Sequence, residues 1–296
     1  MPIAAIAFDF DPLFRLADAL VVRWQTIALA IVIASALITA GVMARRAALR
    51  PDDLLFIAVG IVPGAVIGGR LGYALLHAGY FAGSPAALLD PDVGGLELGL
   101  AVAGGLLTAG YVTRLLGAPI GPWSRVALLP ALFTLGAGKL TMVLGGAGQG
   151  QPTDASWATA YLGPGPWSSL APSLPSHPSQ AYEGIATLLL LFVLVLLLAA
   201  TNVAASGRTD GRVFCIGLGA WALIRAAVGL TWRDPAVVGP FNAGSLIALG
   251  LAAACIVVAG ALTLRRRTSA TTTPEGARTP VSPVAAGSDP QERTRS

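Results

Sequence analysis

The chain reads as an all-α membrane protein, a polytopic bundle of about seven transmembrane helices with its N-terminus out and its C-terminus in. Three observations predict this. Of 296 residues, 55% are hydrophobic and only 11% charged, where an ordinary soluble domain carries about 25% charged residues. The apolar residues gather into seven runs of the length needed to cross a bilayer, about 20 residues each. The arginines between the runs lie mostly on one side, as the positive-inside bias requires.

The first run extends from about Thr26 to Met43 and stops at Arg45-Arg46. The second covers Leu54 to about Gly79, the third Leu96 to about Leu116, and the fourth about Val126 to Gly146. The fifth, about Ala181 to Ala200, is an almost pure aliphatic string. The sixth spans about Val213 to Leu230, and the seventh runs from about Phe241 to Leu264 and ends at Arg265-Arg266-Arg267. The side reached after the odd-numbered runs holds Arg45, Arg46, Arg50, Arg114, Arg125, Arg208, Arg212 and the three terminal arginines. The other side holds Arg15, Arg23 and Arg233. Residues 1–264 therefore form one transmembrane domain. A loop at about 147–178, without Lys or Arg, is expected outside, as a plain loop with interfacial tryptophans or as a substrate-facing lid. From 265 onward a basic stop leads into a Ser/Thr/Pro-rich tail expected to be disordered and cytoplasmic.

Composition also excludes some functions. The net charge of +4 comes mainly from arginines outside the spans, with no basic stripe and no nucleic-acid motif. Cys215 and Cys255 lie in apolar runs and give neither a disulfide framework nor zinc spacing. No metal and no cofactor is expected. The N-terminus carries Asp9, Asp11 and Asp18 without a basic leader, so the first span is expected to stay in the protein.

Three cations interrupt the apolar runs: Arg70, Lys139 and Arg225. A charge at the bilayer centre costs between roughly 2.5 and 17 kcal/mol, so such residues default to functional sites. With the predicted topology, Arg70, Lys139 and Arg225 all fall in the outer half, level with Glu97, His177–Glu183 and Asp234. Such a set suits an anionic lipid headgroup, with Arg as a fork and Lys as a point charge. The alternative is internal pairing with Glu97, Glu183 and Asp234. Gly68-Gly69 beside Arg70 leave room for a headgroup or serve close helix packing.

The most specific string is SHPSQAYEG, where Pro178 and Ser179 suit a helix start. Within two turns His177, Gln180, Tyr182 and Glu183 supply an imidazole, an amide, a phenol and a carboxylate. Gln180 and Glu183, three apart, share a helix face.

These segments resemble the prolipoprotein diacylglyceryl transferase family. GGRLGYALLH is similar to that family's GARLGYVLFY-type motif and SHPSQAYE to its HPSQLYE motif. LGAGKLTMVLGGAGQG aligns with its LGAGRLGNFINGELWG-type signature, VVRWQ with its IRWYG entry to the first span, and FCIGLGAW with its FLIGYGAFR segment. The resemblance covers about residues 10–262. It implies a seven-span enzyme of the bacterial inner (plasma) membrane, with its site toward the outer leaflet. Such enzymes move diacylglyceryl from phosphatidylglycerol to a lipobox cysteine thiol of a prolipoprotein signal peptide. With the three intramembrane cations, this makes Arg70, Lys139, Arg225, Gly150, Gln180 and Tyr182 the candidate headgroup-binding residues and His177 or Glu183 the candidate base. The nucleophilic thiol belongs to the substrate, so Cys215 and Cys255 are not expected to react.

The chain departs from the pattern at several points. Lys139 stands at the signature Arg, and Met142, Gly145 and Ala147 replace two Asn and a Glu. Gln25 stands at a Tyr, and no His lies between Gly95 and Gly104. Ala222 and Ala226 fall at an Arg and a Glu, with Arg225 on nearly the same helix face as Ala222. Arg225 either replaces the missing Arg or pairs with an acid. Two functions follow: a lipid-dependent transferase, or a catalytically degenerate homologue that binds phospholipid or signal peptide without chemistry.

Overall fold

A computed structural model of the protein describes residues 5–17, 20–90, 92–200 and 211–271. Asp18, Arg208 and the tail from residue 272, on which part of the sequence reading rests, lie outside the described residues.

Among the described residues, seven helices of 18 to 26 residues are long and apolar enough to cross a membrane, which makes the chain a polytopic membrane protein. A short strand β1 (Ala5–Phe8) and a hairpin of β2 (Leu13–Ala17) and β3 (Leu20–Arg23) lead into the first span, α1 (Trp24–Arg46). The next, α2 (Pro51–Leu76), opens with Pro51 followed by Asp52 and Asp53. Proline lacks the N–H that a first turn would leave unbonded, and acids there favour the helix dipole. A short helix α3 (Ala78–Gly83) and a 3-10 turn (Pro85–Leu89) follow. Then come α4 (Leu98–Leu115), α5 (Ile120–Thr141), strand β4 (Ala158–Tyr161), α6 (Ser179–Ala200) and α7 (Arg212–Val228). The chain continues through β5 (Ala236–Val238) and β6 (Phe241–Asn242) into α8 (Ala243–Thr271). The last helix runs through the basic stop expected at Arg265–Arg267.

The short strands are an addition to the all-α expectation. Parallel pairing joins β1 to β4, and antiparallel pairing joins β2 to β3 and β5 to β6. They escape a sequence reading because each is two to five residues long, too short to show a period-two pattern. The β1–β4 partners are also about 150 positions apart. All three pairs lie at the bundle end where α1, α4, α6 and α8 begin and α2, α5 and α7 finish.

Packing follows side-chain size. Helix α5 touches α1, α6 and α7, and Leu128 and Leu132 enter the main core with Leu194, Leu218, Trp221 and Ala252. Helices α2 and α4 cross so closely that a Cβ on Gly64 would strike the Gly104 carbonyl and one on Gly68 the Leu100 carbonyl. Gly69 abuts Leu96 and Ala101. The Gly68-Gly69 pair therefore serves helix packing, where small residues let backbones approach in lipid. Outward side chains such as Leu107, Ile38 and Ile67 are exposed on the bundle and suit contact with lipid tails.

Candidate functional site

Four helix ends meet at the strand-bearing end of the bundle, each bringing one charge. Glu97 caps α4, its Oε1 accepting from Gly99 N at 2.7 Å and its Oε2 from Leu100 N at 2.6 Å. Its own N–H donates to the Gly69 carbonyl at 2.9 Å, tying the start of α4 to α2. Glu183 lies in the second turn of α6, fully buried. Lys139 and Arg225 stand near the C-terminal ends of α5 and α7.

The four side chains interlock. Arg225 Nη1 donates to both Glu183 oxygens at 3.0 and 3.2 Å, and its Nη2 donates to Glu97 Oε1 at 3.0 Å. Lys139 Nζ lies 3.0 Å from Glu183 Oε2 and 4.5 Å from the centre of the Trp232 ring. Lys139 is only 7% exposed. Two cations and two carboxylates thus balance in a buried setting, where each charge depends on its partners. Arg225, the out-of-register cation of the sequence, stands at the centre of the cluster, and Ala222 and Ala226 on the same helix are buried. Asp234, the third candidate acid, stays exposed.

Arg225 Nε and, three residues before Glu183 on α6, Gln180 Oε1 are buried polar atoms without a partner among the described residues. Gln180 is fully buried, and its Nε2 donates to the Tyr161 hydroxyl at 3.1 Å. Turning the amide over lets Tyr161 donate instead, but then the nitrogen is orphaned. Burial pushes the Tyr161 phenol up to about 12, the Gln180 bond opposing, so this hydroxyl keeps its proton at neutral pH. A buried donor left unbonded costs about 1–3 kcal/mol. The Arg225 and Gln180 atoms are therefore places where a ligand oxygen or N–H gains most.

His177 precedes α6 and Tyr182 lies in its first turn. The His177 backbone is fixed on both sides, its N–H donating to the Gln151 carbonyl at 2.9 Å and its carbonyl accepting from Gly150 N at 2.7 Å. Its Nδ1 lies 3.3 Å from the Tyr182 hydroxyl, which also accepts from Trp157 Nε1 at 2.7 Å. Arg233 binds the Gly150 carbonyl through Nε at 2.6 Å and Ser176 Oγ through Nη2 at 2.9 Å. Gly150 is a packing position, since a Cβ there would collide with Ser179 Oγ and the Thr231 carbonyl.

Arg70 is not brought to this cluster. The stripe Gly64, Gly68 and Gly72 faces α4, and Gly72 abuts Glu97. Arg70 lies about 200° around the helix from Gly68 and from Gly72, on the other side. Its guanidinium binds the carbonyls of Leu88, Val93, Ala87 and Asp90 at 2.5 to 2.7 Å. It therefore fastens the connection between α3 and α4 against α2. It also lines a lipid-facing cavity of about 550 Å³ with Val66, Ile67, Leu71 and Leu89. Arg70→Gln should free this connection. Limited proteolysis should cut between Ser84 and Gly94 at least about tenfold faster than in the unchanged protein, since several hydrogen bonds to a charged group at about 1.5–3 kcal/mol each are lost. Equal cutting would show that the clamp is not needed.

The sequence left Trp157, Tyr161, Trp232 and Arg233 without roles in the site. All act through tertiary contacts with distant residues, and no local spacing signals them.

A family model described as prolipoprotein diacylglyceryl transferase matches residues 12–260. The phosphatidylglycerol–prolipoprotein diacylglyceryl transferase of Geobacter sulfurreducens is 28% identical over 262 residues, covering 83% of this chain and 95% of that protein. Its counterpart in Solidesulfovibrio magneticus is 30% identical over 267 residues, covering 88% and 95%. That of Aromatoleum aromaticum is 30% identical over 271 residues, covering 88% and 97%.

Proposed function

Because the chain belongs to the prolipoprotein diacylglyceryl transferase family, we propose that it moves diacylglyceryl from phosphatidylglycerol to the lipobox cysteine thiol of a prolipoprotein signal peptide. The setting is a bacterial inner membrane, with the strand-bearing end and the N-terminus outside and the C-terminus inside. The loop arginines support that orientation.

The observation that carries this reading is the buried Lys139–Glu183–Arg225 cluster, with Arg225 Nε and the Gln180 amide oxygen lacking partners among the described residues. A phosphodiester entering from the strand-bearing end offers oxygens to Lys139 Nζ and Arg225 Nε and competes with Glu183 for both cations. Arg supplies the directional fork and Lys the point charge. In the transfer, the thiol proton goes to His177 as the sulfur bonds to the glyceryl carbon. The bond from that carbon to the phosphate oxygen breaks, and its electron pair leaves on glycerol phosphate. The added negative charge forms where Lys139 and Arg225 stand, so they stabilise the transition state more than the bound lipid. His177 then returns the proton to the departing phosphate. Glu183 is the weaker choice of base, because each of its oxygens already accepts from a cation.

One observation favours a second reading. The cluster is neutral by itself, and so is compatible with a homologue that binds phospholipid or signal peptide without catalysis. Expression in a strain depleted of its own diacylglyceryl transferase separates the two. Restored growth and lipoprotein modification are expected, and an inserted protein that modifies no lipobox peptide would establish the binding-only reading.

A further inference from the structure

We propose that Trp157 is a positioning residue for His177, acting through Tyr182, so that Nδ1 is committed to the phenol and Nε2 is the nitrogen offered to substrate. This rests on the reading of His177 as the base. Trp157 lies in the long connection before β4 and is 55% exposed, so burial does not explain where its indole sits. Its one polar atom turns inward to the Tyr182 hydroxyl at 2.7 Å, a strong contact by length.

The consequence follows from counting protons and lone pairs. An indole N–H only donates, while a phenol oxygen accepts two hydrogen bonds and donates one. Trp157 fills one acceptor position and so fixes where the phenol oxygen stands. His177 Nδ1 lies 3.3 Å from the same oxygen, where it either accepts the phenol hydrogen or donates to the second acceptor position, and action of Nε2 as a base requires the second. This is the one side-chain hydrogen bond of His177 among the described residues. The two rings lie 6.0 Å apart at 60°, so the oxygen-to-nitrogen contact rather than stacking joins them. With the hydrogen on Nδ1, Tyr182 accepts from both donors and Nε2 keeps its lone pair. Protonation at Nε2 then breaks no bond in the chain Trp157–Tyr182–His177. Of the ionisable groups, Glu183 stands one residue beyond Tyr182 on α6, and Arg233 is bound to Ser176, next to His177 in sequence, and to Gly150. Both are engaged elsewhere and leave Nδ1 to Tyr182.

The test uses the full chain in nanodiscs with ¹⁵N-histidine. The sequence has two histidines, His77 and His177, so a His77→Asn variant assigns the spectrum. The unchanged protein should show His177 mainly with hydrogen on Nδ1. Trp157→Phe should shift that tautomer balance and lower kcat about tenfold, a fraction of the roughly 100- to 10,000-fold that a positioned base contributes, with KM changed less than twofold. Trp157→Gln, which keeps an N–H donor, should recover part of both. Unchanged histidine signals in Trp157→Phe, or equal loss in Phe and Gln variants, would overturn the proposal. If His177→Gln keeps full activity, the base assignment fails, while the coupling of Trp157 to the His177 tautomer still stands or falls on the spectra.

Discussion

Glu183→Gln is expected to lower stability by about 3–5 kcal/mol, the range seen when one partner of a buried ion pair is removed. Glu183 is the group that touches both cations, with Arg225 on both oxygens and Lys139 on one. Glutamine keeps the volume and removes the charge, so a packing defect does not contribute. Arg225 retains Glu97 at 3.0 Å, while Lys139 loses its contact carboxylate and keeps the face of Trp232. The effect should therefore depend on Lys139. Adding Lys139→Met to Glu183→Gln should restore part of the loss, because the uncompensated ammonium goes with it and the Arg225–Glu97 pair remains. Unfolding in mixed detergent and SDS micelles measures both variants, and the double-mutant cycle isolates the coupling. A Glu183→Gln protein within about 0.5 kcal/mol of the unchanged one, the usual range of inert surface substitutions, would show that the cluster is solvated and not a buried ion network.

His177→Gln should lower kcat by about 100- to 10,000-fold, the contribution of a positioned general base, while retention of phosphatidylglycerol stays within about twofold. The split arises because the imidazole is proposed to act on the thiol and the lipid phosphate is proposed to be held by Lys139 and Arg225. Lipid retained by the purified protein reads the binding arm, and transfer to a lipobox peptide reads the catalytic arm. Equal loss of both would make His177 part of the lipid site.

The sequence makes the seven spans visible because the hydrocarbon core demands about 20 apolar residues from every crossing helix. It also places Lys139, Arg225, Glu97 and Glu183 at one level, since helix direction alternates from span to span. Which cation pairs with which acid depends on helix rotation and neighbour choice, and only the structure supplies these. Arg70 shows the limit most plainly. An arginine after paired glycines reads alike whether it faces phosphate or carbonyl oxygen, and its partners at residues 87, 88, 90 and 93 are backbone atoms without a residue-type signal. Gly150 fits a site motif, but its missing Cβ serves a tight crossing of Ser179 and Thr231. Trp157 passes for an interfacial aromatic until its contact with Tyr182 is seen.

The most direct measurement of the central claim is transfer in a purified system. The protein is mixed with phosphatidylglycerol labelled in its diacylglyceryl part and a lipobox peptide with one free cysteine. The account predicts a peptide gaining the mass of one diacylglyceryl group on sulfur, with glycerol phosphate released in equal amount and both lost in Lys139→Met. A protein that retains phosphatidylglycerol through Lys139 yet leaves the thiol unmodified would contradict the transferase and leave a lipid-binding member of the family.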